Sequence, residues 1–339
     1  MSTPPSLCNL PNELAISIFN GVGLKSIQTL RKVCHELRNR IDYINPEANL
    51  TQVEIDVTDS KFQIIYKSKI QTLDEEESET YTDRVEYEKV VESGRCIVRS
   101  DRSEKIVNGD FMELASRDLQ LICKFQKKNM KLILFVNGTE SSNNFLQFLE
   151  TLKNLLAFEN RLLKGHRLYI RTNDQKSVIA ALSLIDPRSI FELMLTYGNL
   201  SLQTMEFPEI MEMEHWKTAK RFTSSCRTTA VSAHHFRHFS EFNVHFLSIS
   251  AEYLLDLKKI FQNSSEARQF RIRYKTFDDR EQFLEKMGPS ITFNDEGEWY
   301  FRMSTTGDNV LLIQLESFKS IMFRRVPVRD VPEDAEIQN

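Results

Sequence analysis

Residues 10–42 read LPNELAISIFNGVGLKSIQTLRKVCHELRNRID, and the spacing of their apolar side chains decides the N-terminal architecture. Pro11 suits the first turn of a helix, where its missing N–H has no intrahelical partner to lose. Leu14 and Ile18 lie four apart on one face, and Gly21 and Gly23 break the helix before a second apolar period begins. That period, Leu24, Ile27, Leu30, Val33, Leu37 and Ile41, steps by three and four as an amphipathic helix does. The spacing predicts two or three short helices in about forty residues, near the lower limit at which an apolar core folds unaided. Such a segment must bury its apolar face against something. From the residues alone it reads as an N-terminal helical cap on the domain that follows.

The same positions resemble an F-box. The resemblance is carried by Leu10-Pro11 and Glu13, then by Leu14, Ile18, Val22, Leu24, Ile27 and Leu30, and is completed by Val33-Cys34 and Leu37. Gly23 and Ser26 stand where many members carry Asp, and Leu37 where an aromatic is frequent. The resemblance implies a three-helix module docked on the Skp-type adaptor of a cullin-RING ubiquitin ligase. It places Leu10, Pro11, Leu14, Ile18, Leu24, Ile27, Leu30 and Val33 either in contact with that adaptor or in the small core supporting the contact. It also implies that the chemistry resides elsewhere in the complex, so that this chain is not an enzyme.

A chain of 339 residues that is 41% hydrophobic suffices for two domains or one extended array. Its net charge of −4 is small, and Lys and Arg are spread along the chain, so nucleic acid is not the expected partner. The opening residues lack the pattern of a signal peptide and no apolar run approaches a membrane span, which predicts an intracellular, soluble protein of cytoplasm or nucleus. Five cysteines without CxxC pairing suggest neither a disulfide framework nor a zinc knuckle, but reduced, mostly buried thiols.

Beyond residue 45 the pattern turns to strands around residues 53–57, 62–66, 84–91 and 96–99, with a turn at Ser93-Gly94. The acidic run 73–79 reads as a solvated loop. Helical periodicity over 111–128 then begins an alternation of helices and strands. It includes helices over 143–158, 174–184, 208–216 and 250–261, and strands around 131–136, 168–170, 191–195, 242–246 and 270–274. Residues 221–225 read as a poor strand. Asp278 with Glu281 has the spacing of a capping pair for a helix closed by Gly288-Pro289. Strands recurring at roughly 22 to 36 residues bracket the period of leucine-rich-repeat-like arrays, although a doubly wound sheet gives the same local pattern. The expected fold is mixed α/β. Residues 6–45 form the helical module, 46–139 a mixed connecting segment and 140–288 a βα array. Terminal antiparallel strands occupy 289–330, and 331–339 a flexible tail.

The stretch 143–283 resembles the FTH domain, which accompanies an F-box in a large nematode-expanded family. It does so through Ile190-Phe191-Glu192-Leu193, the run 214–220 (EHWKTAK), the run 238–242 (HFSEF), Ile249-Ser250 and Tyr253-Leu254-Leu255. The resemblance implies a protein-interaction array whose ligand is unassigned.

Few residues invite catalytic readings. His234, His235, His238 and His245 lack the HExxH or carboxylate spacing of a metal site, and His238 reads as a packed or capping residue. Cys226 has Arg221 and Arg227 nearby, yet GxSxG, P-loop and kinase signatures are absent. No cofactor or metal is expected. On a strand, residues 268–275 (RQFRIRYK) place Arg271, Arg273 and Lys275 opposite Phe270, Ile272 and Tyr274. Such a basic face is solvated surface or a site for an acidic peptide or a nucleic acid, and Arg271 and Arg273 are the candidate target-binding residues. The expected function is that of a ligase substrate receptor binding a target protein of unknown identity. The alternative is a non-ligase interaction or sensor protein whose helices only cap the array.

Overall fold

The N-terminal apolar period folds into three helices, α1 (Asn12–Gly21), α2 (Leu24–Leu30) and α3 (His35–Ile44). The computed structural model describes residues 7–71, 78–90, 94–101, 103–136, 141–158, 160–172, 174–197, 204–293, 296–304, 307–316 and 319–338. Most of the acidic run expected as a loop, and Ser93 of the expected turn, lie outside the described residues. The chain divides after Ile190 into two compact units.

In the first unit, the helices bury Ala15 and Phe19, Leu24 and Ile27, and Leu37 and Ile41. Asn45 ends α3 in the left-handed conformation (φ 49°), which Asn tolerates better than most residues. There follow β1 (Leu50–Val57), β2 (Lys61–Gln71), β3 (Ser78–Val90), β4 (Arg95–Ser100) and β5 (Ser103–Asn108), paired in sequence as an antiparallel meander. Next come α4 (Phe111–Lys124), β6 (Met130–Val136), α5 (Ser141–Phe158), β7 (Gly165–Thr172) and α6 (Gln175–Leu182). β1 runs parallel to β6, and β6 to β7, so meander and parallel strands share one sheet. The α4 helix is shorter than its periodicity suggests. Its end is fixed by Arg161, whose guanidinium donates to the carbonyls of Cys123, Lys124 and Gln126.

The second unit starts with β8 (Glu192–Tyr197), α7 (Pro208–Glu212), α8 (Glu214–Thr218) and β9 (Arg221–Thr228). It continues with β10 (Glu241–Ile249), α9 (Ala251–Gln262), β11 (Gln269–Phe277) and α10 (Arg280–Met287). It closes with β12 (Ile291–Phe293), β13 (Glu296–Arg302), β14 (Asn309–Glu316), β15 (Ser320–Pro327) and β16 (Ile337–Gln338). Strands β8, β9, β10 and β11 are parallel and adjacent in chain order, β11 pairs antiparallel with β15, β15 with β14, β14 with β13 and β13 with β12, and β16 lies parallel to β13. This parallel run contains no reversal of strand order, and hence no switch-point crevice of the kind that holds nucleotides in doubly wound sheets.

Burial along β9, β10 and β11 alternates. Phe242, Val244, Phe246, Phe270, Ile272 and Tyr274 are buried on the face covered by α9, where Phe246 meets Tyr253 and Phe270 meets Phe261 at ring centroids 5.4 and 4.9 Å apart. The other face is half-exposed or exposed and polar. Helices on both faces would have required near-continuous apolar strands.

Two local expectations are corrected in this unit. The helix expected over 208–216 breaks at Met213, whose extended backbone (ψ 145°) turns Trp216 into a cluster with Phe222, Phe236 and Phe239. Asp279, not Asp278, stands at the start of α10. Its carboxylate caps no N–H of that helix and instead accepts the N–H of Ala251 at 2.9 Å, beside the Ser250 cap of α9. Val331, Ala335 and Ile337 pack on Tyr300, Val310, Leu312 and Val326, and β16 pairs with β13. Among the described residues no helix is long and apolar enough to cross a membrane.

Candidate functional site

The eight residues singled out in the helical module separate by position. Leu24 and Ile27 are fully buried and form its core with Phe19, Leu37 and Ile41. Leu10 and Leu30 are half-buried, and Pro11 is exposed. Leu14 and Ile18 on α1, and Val33 in the turn between α2 and α3, stand out at 54%, 40% and 67% exposure, which is high for apolar side chains. Ala15 and Phe19 occupy the inward face of α1, so the four-residue pair Leu14 and Ile18 faces solvent. Ile16 and Tyr43 are exposed as well and were not marked by the apolar period.

Polar contacts hold this module in place. Arg40 donates to the carbonyls of Cys8 and Leu10 and pins the segment leading into α1. Asp42 in α3 accepts two hydrogen bonds from Arg31, at 3.0 and 3.1 Å, and pairs with Lys124 of α4 at 3.0 Å. Burial pushes the Asp42 carboxyl up, but Arg31 and Lys124 together hold it below the usual carboxylate range.

In the second unit the open face of β9–β11 carries Arg271 and Arg273. Arg271 is half-buried and paired with Glu316 at 3.4 Å, which neutralises much of its charge. Arg273 is exposed, as is Lys275. The strand register adds two residues that sequence reasoning did not join to them: His245 of β10 is in register with Arg273 and with Arg227 of β9. Burial, Arg227 and Arg273 all push the His245 imidazole down.

The histidines do not converge. His238 Nε2 lies 2.7 Å from the Trp216 carbonyl and its ring is tilted against Phe239, so it serves packing. His235 supplies the carbonyl that accepts the Trp216 indole N–H at 3.0 Å. Among the described residues no group of three or more His, Cys, Asp or Glu is placed to hold a metal ion. Cys226 is buried and its thiol is pushed up by that burial, the opposite of what an activated nucleophile needs.

Comparison with known proteins matches two stretches of the chain, the second of which crosses the boundary between the two compact units. Residues 7–48 match the F-box domain model and residues 146–286 the FTH domain model. F-box A protein 224 of Caenorhabditis elegans is 22% identical over 214 residues, 61% of this chain and 53% of that protein. The chain thus spans about half the length of the curated relative it matches. No solved structure matches it. The chain thus carries a region similar to an F-box, followed by a region similar to an FTH domain.

Proposed function

We propose that this chain is the substrate-receptor subunit of a Skp–cullin–RING ubiquitin ligase. In this reading Leu14, Ile18 and Val33, with Pro11 and the half-buried Leu10 and Leu30, touch the adaptor, while Leu24 and Ile27 form the core beneath. One observation carries it: the helices complete their own core and still leave Leu14, Ile18 and Val33 bare. Helices serving only as a cap would turn that apolar face inward. The contacts of Asp42 with Lys124 are what a cap would also make, so the non-ligase interaction protein remains the second reading.

The βα array of the FTH region, with its uncovered polar sheet face, holds the target, and Arg271 and Arg273 lie on that face. The mechanism is proximity: tethering raises the effective concentration of target lysines at the ubiquitin-charged enzyme and needs no catalytic residue here. F-box and FTH families are typically non-enzymatic adaptors. Co-expression with a Skp-type adaptor and a cullin, followed by gel filtration, tests the reading. A stoichiometric complex is expected, and a chain that elutes alone would favour the cap.

A further inference from the structure

Three adjacent parallel strands on the open face of the second unit bring Arg227, His245 and Arg273 into one row. Neighbouring strands stand about 4.8 Å apart, so the two arginines lie about 10 Å apart at the backbone with the imidazole between them. Elsewhere the face neutralises itself: Arg221 pairs with Glu241 at 2.9 Å and Arg271 with Glu316 at 3.4 Å. Among the described residues no carboxylate reaches ion-pair distance of Arg227 or Arg273. The flanking stretches 198–203 and 317–318, which lie outside the described residues, contain no acidic residue. Beyond Arg273 the row continues to Ser320 of β15, whose buried hydroxyl has no hydrogen-bond partner among the described residues. Burial first, and then Arg227 and Arg273 on either side, push the His245 imidazole down.

We infer that this row is the docking site for a carboxylate-rich peptide segment of the target, lying extended across β9, β10 and β11; the inference rests on the substrate-receptor reading. Guanidinium groups take carboxylates through paired, charge-assisted hydrogen bonds, and a row of them selects a segment with repeated Asp or Glu. From Arg221 to Lys275 no outward position of these strands holds Phe, Tyr or Trp on which a nucleic-acid base could stack. Glu241 and Glu316 also interrupt the track that a phosphate backbone would need.

Fluorescence anisotropy with the full chain tests this, using a short labelled peptide of alternating Glu and Ser, its Gln counterpart, and a single-stranded RNA of equal charge. The Glu peptide should bind, in a salt-sensitive manner, and the Gln peptide should not. Arg227→Glu with Arg273→Glu should weaken the Glu peptide by at least about tenfold, as loss of a paired interfacial Arg does. Should that variant fail to fold by circular dichroism, Arg227→Gln with Arg273→Gln should still weaken it in the same direction. Equal binding of the Gln peptide, tighter binding of the RNA, or unchanged affinity in a folded double variant would overturn the assignment. Adaptor co-purification from the same samples separates the two claims: a wild type that binds the peptide but retains no adaptor contradicts the receptor reading and not the row.

Discussion

Glu47 accepts a hydrogen bond from the backbone N–H of Lys127 at 3.0 Å, joining the end of the helical module to the loop between α4 and β6. Its other oxygen takes the N–H of Asn49 at 3.1 Å, while Asn20 of α1 accepts the N–H of Glu47 itself at 2.9 Å. Glu47→Ala leaves two backbone donors without their acceptor, at a cost of about 1 to 3 kcal/mol. Thermal melting of the full chain should show the loss. An unchanged melting temperature would mean that water replaces the carboxylate without cost.

Asp42 makes the same connection sensitive to acid. Burial raises its carboxyl pKa, but Arg31 and Lys124 outweigh that effect and leave it depressed. A group whose folded pKa is depressed contributes stability above its unfolded value, about 3.9, and loses that contribution as pH falls through the folded value. Protection of the α3 amides against hydrogen exchange, relative to the unstructured rate at each pH, should therefore fall as pH drops below about 4, and Asp42→Asn should flatten that dependence. If α3 exchanges with the same pH profile in both proteins, the Asp42 cluster is not the cause.

Trp216 anchors the aromatic cluster of the second unit, with Phe222 at 4.6 Å and Phe239 at 5.0 Å between ring centroids. Trp216→Ala removes that packing and strands the His235 carbonyl, for a loss of about 3 to 5 kcal/mol. Trp216→Phe should lose less, since it keeps a ring and forfeits the hydrogen bond. Denaturant unfolding of the two variants gives the ordering, and a reversed order would contradict the cluster's role.

The helices of the N-terminal module are legible in the sequence because their apolar spacing is local, as is the alternation of Phe270, Ile272 and Tyr274. Which face of α1 looks outward is not local. Leu14 and Ile18 belong to the same pattern as the buried Phe19, and only packing against α3 separates them. The strand β9 is hidden for a chemical reason: its inward positions include Ser224, Cys226 and Thr228, buried side chains without the apolar signature. Arg227 escapes notice because its partners are set by register, after an irregularity in the pairing of β9 with β10. The capping pair read at Asp278 and Glu281 misses by one residue, because Asp279 starts α10 and tertiary packing draws its carboxylate to the N–H of Ala251 in a different helix.

The adaptor-facing assignment is tested most directly by titrating purified Skp-type adaptor into the full chain and into Leu14→Ala with Ile18→Ala, with melting temperature as the folding control. Both side chains are exposed, so the core built on Phe19, Leu24 and Ile27 should survive the substitution. Buried interface anchors typically lose about 2 kcal/mol or more each on truncation, and each 1.4 kcal/mol is about a factor of ten in affinity. Wild-type protein should bind, the variant should bind more weakly by at least about tenfold, and both should melt at the same temperature. Wild-type protein that binds no adaptor, or a folded variant that binds it as tightly as the wild type, would contradict the adaptor-facing assignment.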